Sequence, residues 1–360
     1  MMNFGLVGCG AVGKLRAQAV LETPGCRLAA VADVDADRAR AAAPPGAATF
    51  YEYQQLIGGA TVDAVIVSTP PATHEEIALA ALAAGKHVLC EKPLANSLDA
   101  CRRMVEAAQR AGKVLATGFN HRFFPAVRFL KQILDSGRIG TLDHVRAFAG
   151  HSGLSELPAA WMHNKDAMGG GALMDVGIHV IDLARYILGE VSQVYGVATG
   201  NVWKLDRSED NGFALLRSPE GKVATLHATW SEWKGYRFYI EAYGDRGMAR
   251  AYYAPMFAMA ICLDRPGGKR RREFRFYPEI FLREKLHGWE TTTARTFEEE
   301  FAEFARRAAG LHGEATTLAD GWAGLRAVEI ANAVYESTAS GQPVTLGPAS
   351  VGRPSGRAGL

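Results

Sequence analysis

Short apolar runs alternate with alanine-rich or amphipathic stretches through the first third of the chain. The apolar runs, which are typical of buried strands, lie at residues 3–7, 27–33, 64–68, 87–91 and 114–118. The stretches of helical composition between them lie at residues 11–22, 35–43, 73–84 and 97–111. Strands that alternate with helices predict a parallel sheet covered on both faces. We therefore expect residues 1–122 to form a doubly wound, Rossmann-type α/β domain.

After residue 122 the pattern changes to a two-residue alternation of apolar and polar positions. Segments such as VATLHATW and RFYIEAYG, between residues 193 and 277, are typical of antiparallel strands. Helical composition returns at residues 125–136, 172–188, 296–309 and 318–340. We expect residues 123–346 to form an α+β domain around a mostly antiparallel sheet. The tail at residues 347–360 is rich in Gly, Pro, Ser and Arg, and we expect it to be loose.

Composition and charge narrow the classes of function. The 360 residues are 48% hydrophobic and 22% charged, with a net charge of +2, which is ordinary for a globular protein with sizeable cores. Near-neutral charge gives no case for nucleic acid or an anionic membrane as a partner. The five cysteines are scattered and never spaced as a metal pair, which favours reduced thiols in the cytoplasm and no metal site. We find no secretory signal pattern and no apolar run of about 20 residues, and we expect neither secretion nor membrane insertion.

A glycine-rich loop follows the first predicted strand. The sequence FGLVGCGAVG places Gly8, Gly10 and Gly13 in the GxGxxG spacing, with Ala11 and Val12 opening the next helix. In this context the glycines permit a tight turn, close approach of a pyrophosphate and close helix–strand packing, with the pyrophosphate on the helix N-terminus. The pattern predicts a dinucleotide site. The alternative is a glycine-rich turn without a ligand.

Asp33 ends the second predicted strand, about 20 residues after the loop, where a dinucleotide site needs an acid. Its carboxylate would accept hydrogen bonds from ribose hydroxyls and repel a 2′-phosphate, so we expect NAD rather than NADP. The alternative is that Asp33 only caps the next helix. Arg38 and Arg40 are the candidates for a 2′-phosphate contact, or they lie on a solvated helix face.

The sequence HVLCEKPLA places Glu91, Lys92 and Pro93 at the carboxyl end of a predicted parallel strand. Ligands of open α/β sheets bind at this edge. A lysine there can hydrogen-bond a substrate hydroxyl and remain cationic while charge develops on oxygen, and proline fixes the backbone that aims it. The alternative is an exposed lysine beside a strand-ending proline.

Six motifs together resemble the glucose–fructose oxidoreductase / inositol dehydrogenase / MocA (Gfo/Idh/MocA) family. They are, in order, GLVGCGAVG, VADVD, VSTPPATH, AGKHVLCEKPLA, GFNHRFFPAV and GGGALMDVGIHVIDLARYILG. The resemblance implies a nucleotide-binding domain followed by an open-faced sheet domain that often forms oligomers, here a homodimer or homotetramer. It also implies an NAD(H)-dependent oxidoreductase acting on a secondary alcohol or ketone of a sugar, cyclitol or nucleotide-linked sugar.

Asp175 and His179 are four residues apart in MDVGIHVIDL, so they share one face of a predicted helix. Histidine suits acid–base work near neutral pH, although both side chains would also fit the cap of a buried helix. The resemblance implies that Lys92, Asp175 and His179 are the substrate-contacting set. In that interpretation His179 exchanges the hydroxyl proton, Lys92 hydrogen-bonds the reacting oxygen, and Asp175 holds substrate hydroxyls or steers the other two.

The resemblance implies further contacts. The cofactor contacts implied are Ser68, Thr69, Pro70, His74, Glu91, Lys92, Asn120 and Arg122. A plain proline turn is the alternative for the loop at residues 68–70, and His121 has the simpler interpretation of an interdomain contact. Trp161 matches a substrate-site tryptophan, but Met162 stands where many members have arginine, so the cation expected at that point is missing.

Two other functions stay open at this stage. The first is a sugar-modifying enzyme that keeps NAD bound and uses transient oxidation to drive another step. The second is a non-catalytic dinucleotide-binding sensor, against which the joint presence of Lys92 and His179 argues.

Overall fold

The computed structural model describes residues 1–157, 159–265, 267–311 and 316–347. Of the predicted tail, all but residue 347 therefore lies outside the described residues. The described chain folds around two sheets, one built by its first third and one by the rest.

Six parallel strands form the first sheet. They are β1 (Met2–Val7), β2 (Cys26–Ala32), β3 (Ala48–Phe50), β4 (Ala64–Val67), β5 (His87–Cys90) and β6 (Leu115–Thr117). Their order is β3-β2-β1-β4-β5-β6, and all neighbours are parallel. The order reverses direction between β1 and β4, which opens a crevice at the carboxyl ends of those two strands. The predicted Rossmann architecture is confirmed.

Helices cover both faces of this sheet. They are α1 (Ala11–Glu22), α2 (Ala36–Ala42), α3 (Tyr53–Gly59), α4 (His74–Ala83) and α5 (Leu98–Ala111). The continuous apolar run of β4 shows why, because Val65 and Val67 pack into one core while Ala64 and Ile66 pack into the other. A strand buried on both faces cannot alternate with polar residues.

Nine strands form the second sheet. They are β7 (Leu142–Gly150), β8 (Gln193–Thr199), β9 (Asn211–Arg217), β10 (Val223–Thr229), β11 (Arg237–Gly244), β12 (Gly247–Tyr253), β13 (Phe257–Leu263), β14 (Arg270–Phe276) and β15 (Val344–Thr345). Their order is β14-β13-β12-β11-β7-β10-β9-β8-β15. The β7–β10 pair is parallel, and the other neighbours are antiparallel. The prediction of a mostly antiparallel sheet is confirmed.

One face of the second sheet is open. Along β9, Phe213 and Leu215 are exposed while Ala214 and Leu216 are buried, which is the alternation of a sheet covered on one side. The helices of this half are α6 (Pro125–Asp135), α7 (Lys165–Met168), α8 (Ile178–Leu188), α9 (Pro278–His287), α10 (Glu290–Ala308) and α11 (Gly321–Ser340).

Helix α10 comes late in the chain but packs against elements of the first sheet's layer. It packs on α1, and its Phe301 lies edge-on to Phe4 of β1 with ring centroids 4.7 Å apart. Helix α11 likewise contacts both α5 and β8. Helices α10 and α11 therefore connect the part of the chain that forms the first sheet to the part that forms the second sheet. These parts are called the first and second halves below. The division into units 1–122 and 123–346 stays a prediction.

The stretch Lys165–Leu188 is long and apolar enough to cross a membrane by length and composition. However, 89% of its most apolar window is buried inside the protein. Such burial is what a core helix of a globular protein shows.

Candidate active site

The glycine-rich loop leaves open space at one glycine only. Gly8 has φ +90°, and a Cβ there would lie 2.6 Å from the carbonyl carbon of Ser68, while a Cβ on Gly13 would collide with the Gly8 carbonyl oxygen. A Cβ on Gly10 would meet nothing within 4 Å. Gly10 also begins α1 without any side-chain cap, so the helix N-terminus is free to bind an anion. This geometry fits a pyrophosphate.

Asp33 lies beside this loop and is held by the backbone. Its carboxylate accepts hydrogen bonds from the Cys9 amide at 2.6 Å and the Asp35 amide at 2.8 Å. The cap of α2 is a different residue, because Asp35 accepts from the amides of Asp37 and Arg38. Asp33 is thus an oriented acid at the end of β2, with lone pairs left for ribose hydroxyls.

The two arginines that follow are engaged locally. Arg38 forms an ion pair with Asp35 and Arg40 with Asp37, all four with well-exposed side chains. These contacts are those of a solvated helix face.

The loop after β4 contains an unsatisfied buried hydroxyl. Ser68 Oγ is buried and has no hydrogen-bond partner within the described chain, whereas Thr69 Oγ1 accepts a hydrogen bond from Thr73 at 2.8 Å. A buried hydroxyl without a partner is costly. A bound ligand at the sheet edge could satisfy it, which is a second feature that fits a dinucleotide.

His74 connects this loop to the Glu-Lys-Pro loop. Its Nε2 lies 2.7 Å from the Thr69 carbonyl oxygen and its Nδ1 lies 3.1 Å from that of Pro93. Burial lowers the pKa of His74, and the residue has no exposed surface. The role visible here is to position both loops, and its predicted contact with a cofactor stays a prediction.

Glu91 belongs to a buried ion-pair cluster, and its predicted contact with the cofactor stays a prediction. Its carboxylate pairs with Arg16 at 2.5 Å, and Arg16 also forms an ion pair with Glu300 at 2.6 Å. Arg16 and Glu300 have no exposed surface. Burial, reinforced by the nearby Glu91 charge, raises the pKa of Glu300 to about 7, although Arg16 opposes this. The chain thus buries two carboxyls against one guanidinium, which favours keeping one proton on the pair.

Asn120 and Arg122 also make contacts within the protein. The Asn120 amide donates to Thr296 Oγ1 at 2.9 Å. The Arg122 guanidinium donates to both carboxylate oxygens of Asp182, at 2.8 and 2.6 Å. Because this pair is buried and bidentate, Arg122 connects the end of the first half to α8. The cofactor contacts predicted for these two residues stay predictions.

Lys92 and Asp175 meet across the two halves. Lys92 Nζ donates to the Asp175 main-chain oxygen at 3.1 Å and to its Oδ1 at 3.2 Å. The other carboxylate oxygen of Asp175 accepts from Trp230 Nε1 at 3.0 Å and lies 3.0 Å from His151 Nε2. Although burial opposes ionisation, Lys92, His151 and Trp230 hold the pKa of Asp175 below its ordinary value.

A π-helical turn, Leu173–Gly177, brings Asp175 to this position. Glu209 caps it, because its carboxylate accepts from the amides of Gly171 and Leu173, each at 2.8 Å. A Cβ on Gly169 would collide with the Asn96 carbonyl oxygen of the first half. Gly169 therefore permits close packing between the two halves, while Gly170 and Gly171 pack against Tyr335 and Glu209 of the second half.

His179 lies in the same place, on α8. Its ring stacks on His121 with centroids 3.7 Å apart and planes at 26°, and its buried Nδ1 has no hydrogen-bond partner within the described chain. Burial, His121 and Lys92 together hold the pKa of His179 well below its ordinary value. His179 is therefore a neutral imidazole that can accept a proton.

The stacked His121 is neutral for the same reasons. Burial and the Lys92 charge lower the pKa of His121 to about 3. Its Nδ1 lies 3.1 Å from Asn120 Oδ1, and its Nε2 lies 2.8 Å from the Tyr236 hydroxyl. An amide oxygen can only accept, so Nδ1 carries the proton and Nε2 accepts from Tyr236. His121 is thus part of the site and more than an interdomain contact.

His151 and Trp230 are site residues that the sequence did not reveal. The Gly153 amide donates to His151 Nδ1 at 3.0 Å, which puts the proton of the neutral ring on Nε2, facing Asp175. His151 follows the end of β7, and a polar residue at a strand end is the weak signal that was present. Trp230 is fully buried, and nothing in its sequence context marks it apart from a core residue.

Trp161 has an exposed side chain. It belongs to a short helical turn, Ala160–His163, and 37% of its surface is exposed. The adjacent Met162 packs on a small apolar cluster with Leu157 and Trp230. The contact between Trp161 and a substrate stays a prediction, and apolar packing occupies the position where many family members have an arginine.

Comparisons with known proteins agree with this geometry. Residues 2–119 match the model of an oxidoreductase family with an NAD-binding Rossmann fold, and residues 127–250 match the GFO/IDH/MocA C-terminal domain. Inositol 2-dehydrogenase 2 of Saccharopolyspora erythraea is 33% identical over 358 residues, which are 96% of each chain. The chain belongs to the Gfo/Idh/MocA oxidoreductase family. Residues 2–119 accordingly form an NAD-binding Rossmann fold.

Two solved structures are similar to this chain over almost their whole length. Levoglucosan dehydrogenase, in complex with NADH and levoglucosan, superposes with a TM-score of 0.83 at 25% identity, covering 96% of this chain and 99% of that one. The WlbA dehydrogenase of Bordetella pertussis, in complex with NADH and UDP-GlcNAcA, has a TM-score of 0.78 at 25% identity, with coverages of 96% and 98%.

Proposed function

We propose that this Gfo/Idh/MocA oxidoreductase transfers a hydride between nicotinamide and a secondary alcohol or ketone of a sugar, cyclitol or nucleotide-linked sugar. The observation that carries the proposal is the contact of Lys92 with Asp175, beside a buried, neutral His179. In this proposal a hydrogen-bond donor, a carboxylate and a proton acceptor act on one substrate. The relatives named for inositol and levoglucosan support this substrate class.

NAD, when bound, supplies the hydride acceptor at C4 of its nicotinamide. Gly10 and the N-terminus of α1 would hold the pyrophosphate, Asp33 the adenosine ribose, and Ser68 a polar group at the sheet edge. Support comes from the open space at Gly10, the oriented Asp33 carboxylate and the unpaired Ser68 hydroxyl. The negative charge of Asp33 disfavours NADP.

His179, Lys92 and Asp175 have separate roles in the proposed reaction. In oxidation His179 accepts the hydroxyl proton of the substrate while the carbinol C–H bond loses its hydride. Lys92 donates a hydrogen bond to the reacting oxygen and lowers the cost of its alkoxide character. Asp175, fixed by His151 and Trp230, orients Lys92 and accepts from a neighbouring hydroxyl. In reduction His179 returns the proton.

The deciding experiment measures NADH release with a panel of free and nucleotide-linked sugars and cyclitols. Sustained NADH formation, one per substrate oxidised, supports the proposal. Sugar conversion without net NADH would favour the enzyme that keeps NAD bound for transient oxidation. NAD binding with no conversion of any panel member would favour the sensor.

We propose that the protein is a homo-oligomer. A homodimer or homotetramer would cover the open face of the second sheet, where the exposed apolar side chains include Tyr195, Val197, Phe213 and Leu215. Patches of this kind often mark interfaces. We also propose a cytoplasmic location without nucleic-acid or membrane partners, a cofactor unit at 1–122 and a substrate unit at 123–346.

A further inference from the structure

Two tryptophans from separate loops meet beside the reacting centre. Trp203 belongs to the β8–β9 connection and Trp233 to the β10–β11 connection, and their ring centroids are 5.7 Å apart with planes at 53°. Trp233 is 67% exposed. Two indole rings in contact at the surface, one of them largely exposed, form an apolar patch of the kind that marks binding sites.

Trp203 is linked to Asp175 by hydrogen bonds through one intervening residue, Trp230. Its Nε1 donates to the Trp230 carbonyl oxygen at 2.8 Å, and the Trp230 indole itself donates to Asp175. Its ring also lies against Gly153, where a Cβ would collide with it. The Gly153 amide in turn donates to His151, a further partner of Asp175. The tryptophan pair is therefore in contact with Trp230 and Gly153, and through them it is linked to Asp175 and His151.

The loop of Trp203 is held in place. The buried Asp210 carboxylate accepts from the amides of Val202 at 2.6 Å and Trp203 at 3.2 Å. Lys204 and Arg207 have φ values of 50° and 56°, in the left-handed region that non-glycine residues rarely occupy. Strain of this kind persists only where the surrounding structure imposes it, and it concentrates at ligand clamps.

The charges around the pair are balanced. Lys204 and Arg207 lie on the Trp203 loop with Asp206, and Arg207 is already paired with Asp166. Glu232 and Lys234 flank Trp233. Such a mixture gives no concentrated positive field for a diphosphate. The ligand that fits is uncharged and has a face of C–H bonds, because these bonds carry partial positive charge and the aromatic face is negative.

We propose that Trp203 and Trp233 form an aromatic subsite for a second pyranose ring, so that the preferred substrate is a disaccharide or glycoside. The inference rests on the proposed function, because it names the substrate class of the same site. The reacting ring lies at Lys92, Asp175 and His179, and the second ring stacks on the exposed indole of Trp233.

The test compares kcat/KM for disaccharides (cellobiose, maltose, lactose) with that for their monosaccharides and myo-inositol, using NADH release. Trp233→Ala should lower the ratio of disaccharide to monosaccharide efficiency about tenfold, mainly through KM, since a lost aromatic contact is worth about a factor of ten. Trp233→Phe should restore most of the ratio. Trp289→Ala is the matched control, because Trp289 is 58% exposed on α10's N-terminal side, away from this loop pair in sequence.

The outcomes separate the two proposals. If monosaccharides are oxidised but no disaccharide is preferred, or if Trp233→Ala lowers both efficiencies equally, the aromatic subsite is wrong and the proposed function stands. If Trp233→Ala changes only the ratio of the efficiency with UDP-glucose to that with glucose, the tryptophan pair stacks a nucleobase and the second-ring inference is also overturned. If no member of the panel releases NADH, the proposed function itself fails.

Discussion

Lys92 donates two hydrogen bonds to Asp175, one to the main-chain oxygen at 3.1 Å and one to Oδ1 at 3.2 Å. The two residues are 83 positions apart in the chain. Lys92 lies beside the first sheet, and Asp175 belongs to the part of the chain that forms the second sheet. Lys92 follows β5 at the edge where ligands of parallel sheets bind, and Asp175 lies on the π-helical turn that precedes α8. The contact therefore joins the cofactor half to the half that carries His179.

Cofactor choice depends on Asp33. Asp33→Ala removes the carboxylate that would bind the ribose and repel a 2′-phosphate. We expect the ratio of NADP to NAD efficiency to rise about tenfold or more, because a hydrogen bond to a charged group contributes about 1.5–3 kcal/mol. Asp35→Ala is the control, since Asp35 caps α2 without facing the loop. Wild-type efficiency with NADP equal to that with NAD would refute the assignment.

The glycine loop can be tested without unfolding the protein. Gly10→Val adds a side chain where a Cβ meets nothing within 4 Å, so the fold should survive while NAD binding falls at least tenfold in calorimetry. Gly13→Val should instead destabilise the fold, because its Cβ would collide with the Gly8 carbonyl. Unchanged NAD binding by Gly10→Val would show that the pyrophosphate binds elsewhere.

Much of the cofactor half follows from the sequence because its signals are local. The strand, loop, helix and acid from Asn3 to Asp33 lie within one βαβ unit, and the structure shows that unit. Strand β3 was missed because it has three residues, none of them buried. Helix α3 was missed because it has seven residues, of which only Leu56 and Ile57 are buried. Helix α9 was missed for a similar reason, since Ile280 is its only buried residue among those described.

The contacts that complete the site were beyond local patterns. Arg16 meets Glu91 across 75 positions, and Trp230 meets Asp175 across 55. A tryptophan or a glutamate that completes a polar network has the same sequence context as one that does not. The π-helical turn could not be predicted from local sequence either, because it depends on hydrogen bonds from the amides of Gly171 and Leu173 to the distant Glu209.

Glu300 should give the protein a measurable pH dependence of stability. Its pKa is raised from 4.5 to about 7, so the folded state binds this proton more tightly than the unfolded state does. The free energy of unfolding should therefore fall as pH rises from about 4.5 to about 7 and then level off. Glu300→Gln removes this term, and its deficit relative to the wild type should shrink by roughly 3 kcal/mol over that window.

Denaturant unfolding at several pH values measures this effect. Glu299→Gln is the control, because Glu299 precedes Glu300 on α10 and its side chain is 31% exposed. A Glu300→Gln deficit that stays constant from pH 4.5 to 7 would contradict the account of a shared proton in the Arg16 cluster.

His179 should not titrate in the usual range for histidine. Burial, His121 and the Lys92 charge hold its pKa well below 6.5, so the imidazole should remain neutral from about pH 6 upward. Removing the charge with Lys92→Met should raise the pKa of His179. Imidazole NMR shifts of the free protein, assigned with His179→Gln, follow this directly. A wild-type midpoint near 6.5 would disprove the proposed electrostatics.

The central claim is that Lys92 and His179 act on one oxygen. The most direct measurement is turnover of the best panel substrate by Lys92→Ala, His179→Ala and the double variant, with NAD binding checked by calorimetry. Each single change should lower kcat by about 10²–10⁴-fold while NAD affinity stays near that of the wild type. The double variant should lose far less than the product of the two single losses. Losses that multiply, or a single variant with undiminished turnover, would contradict the mechanism.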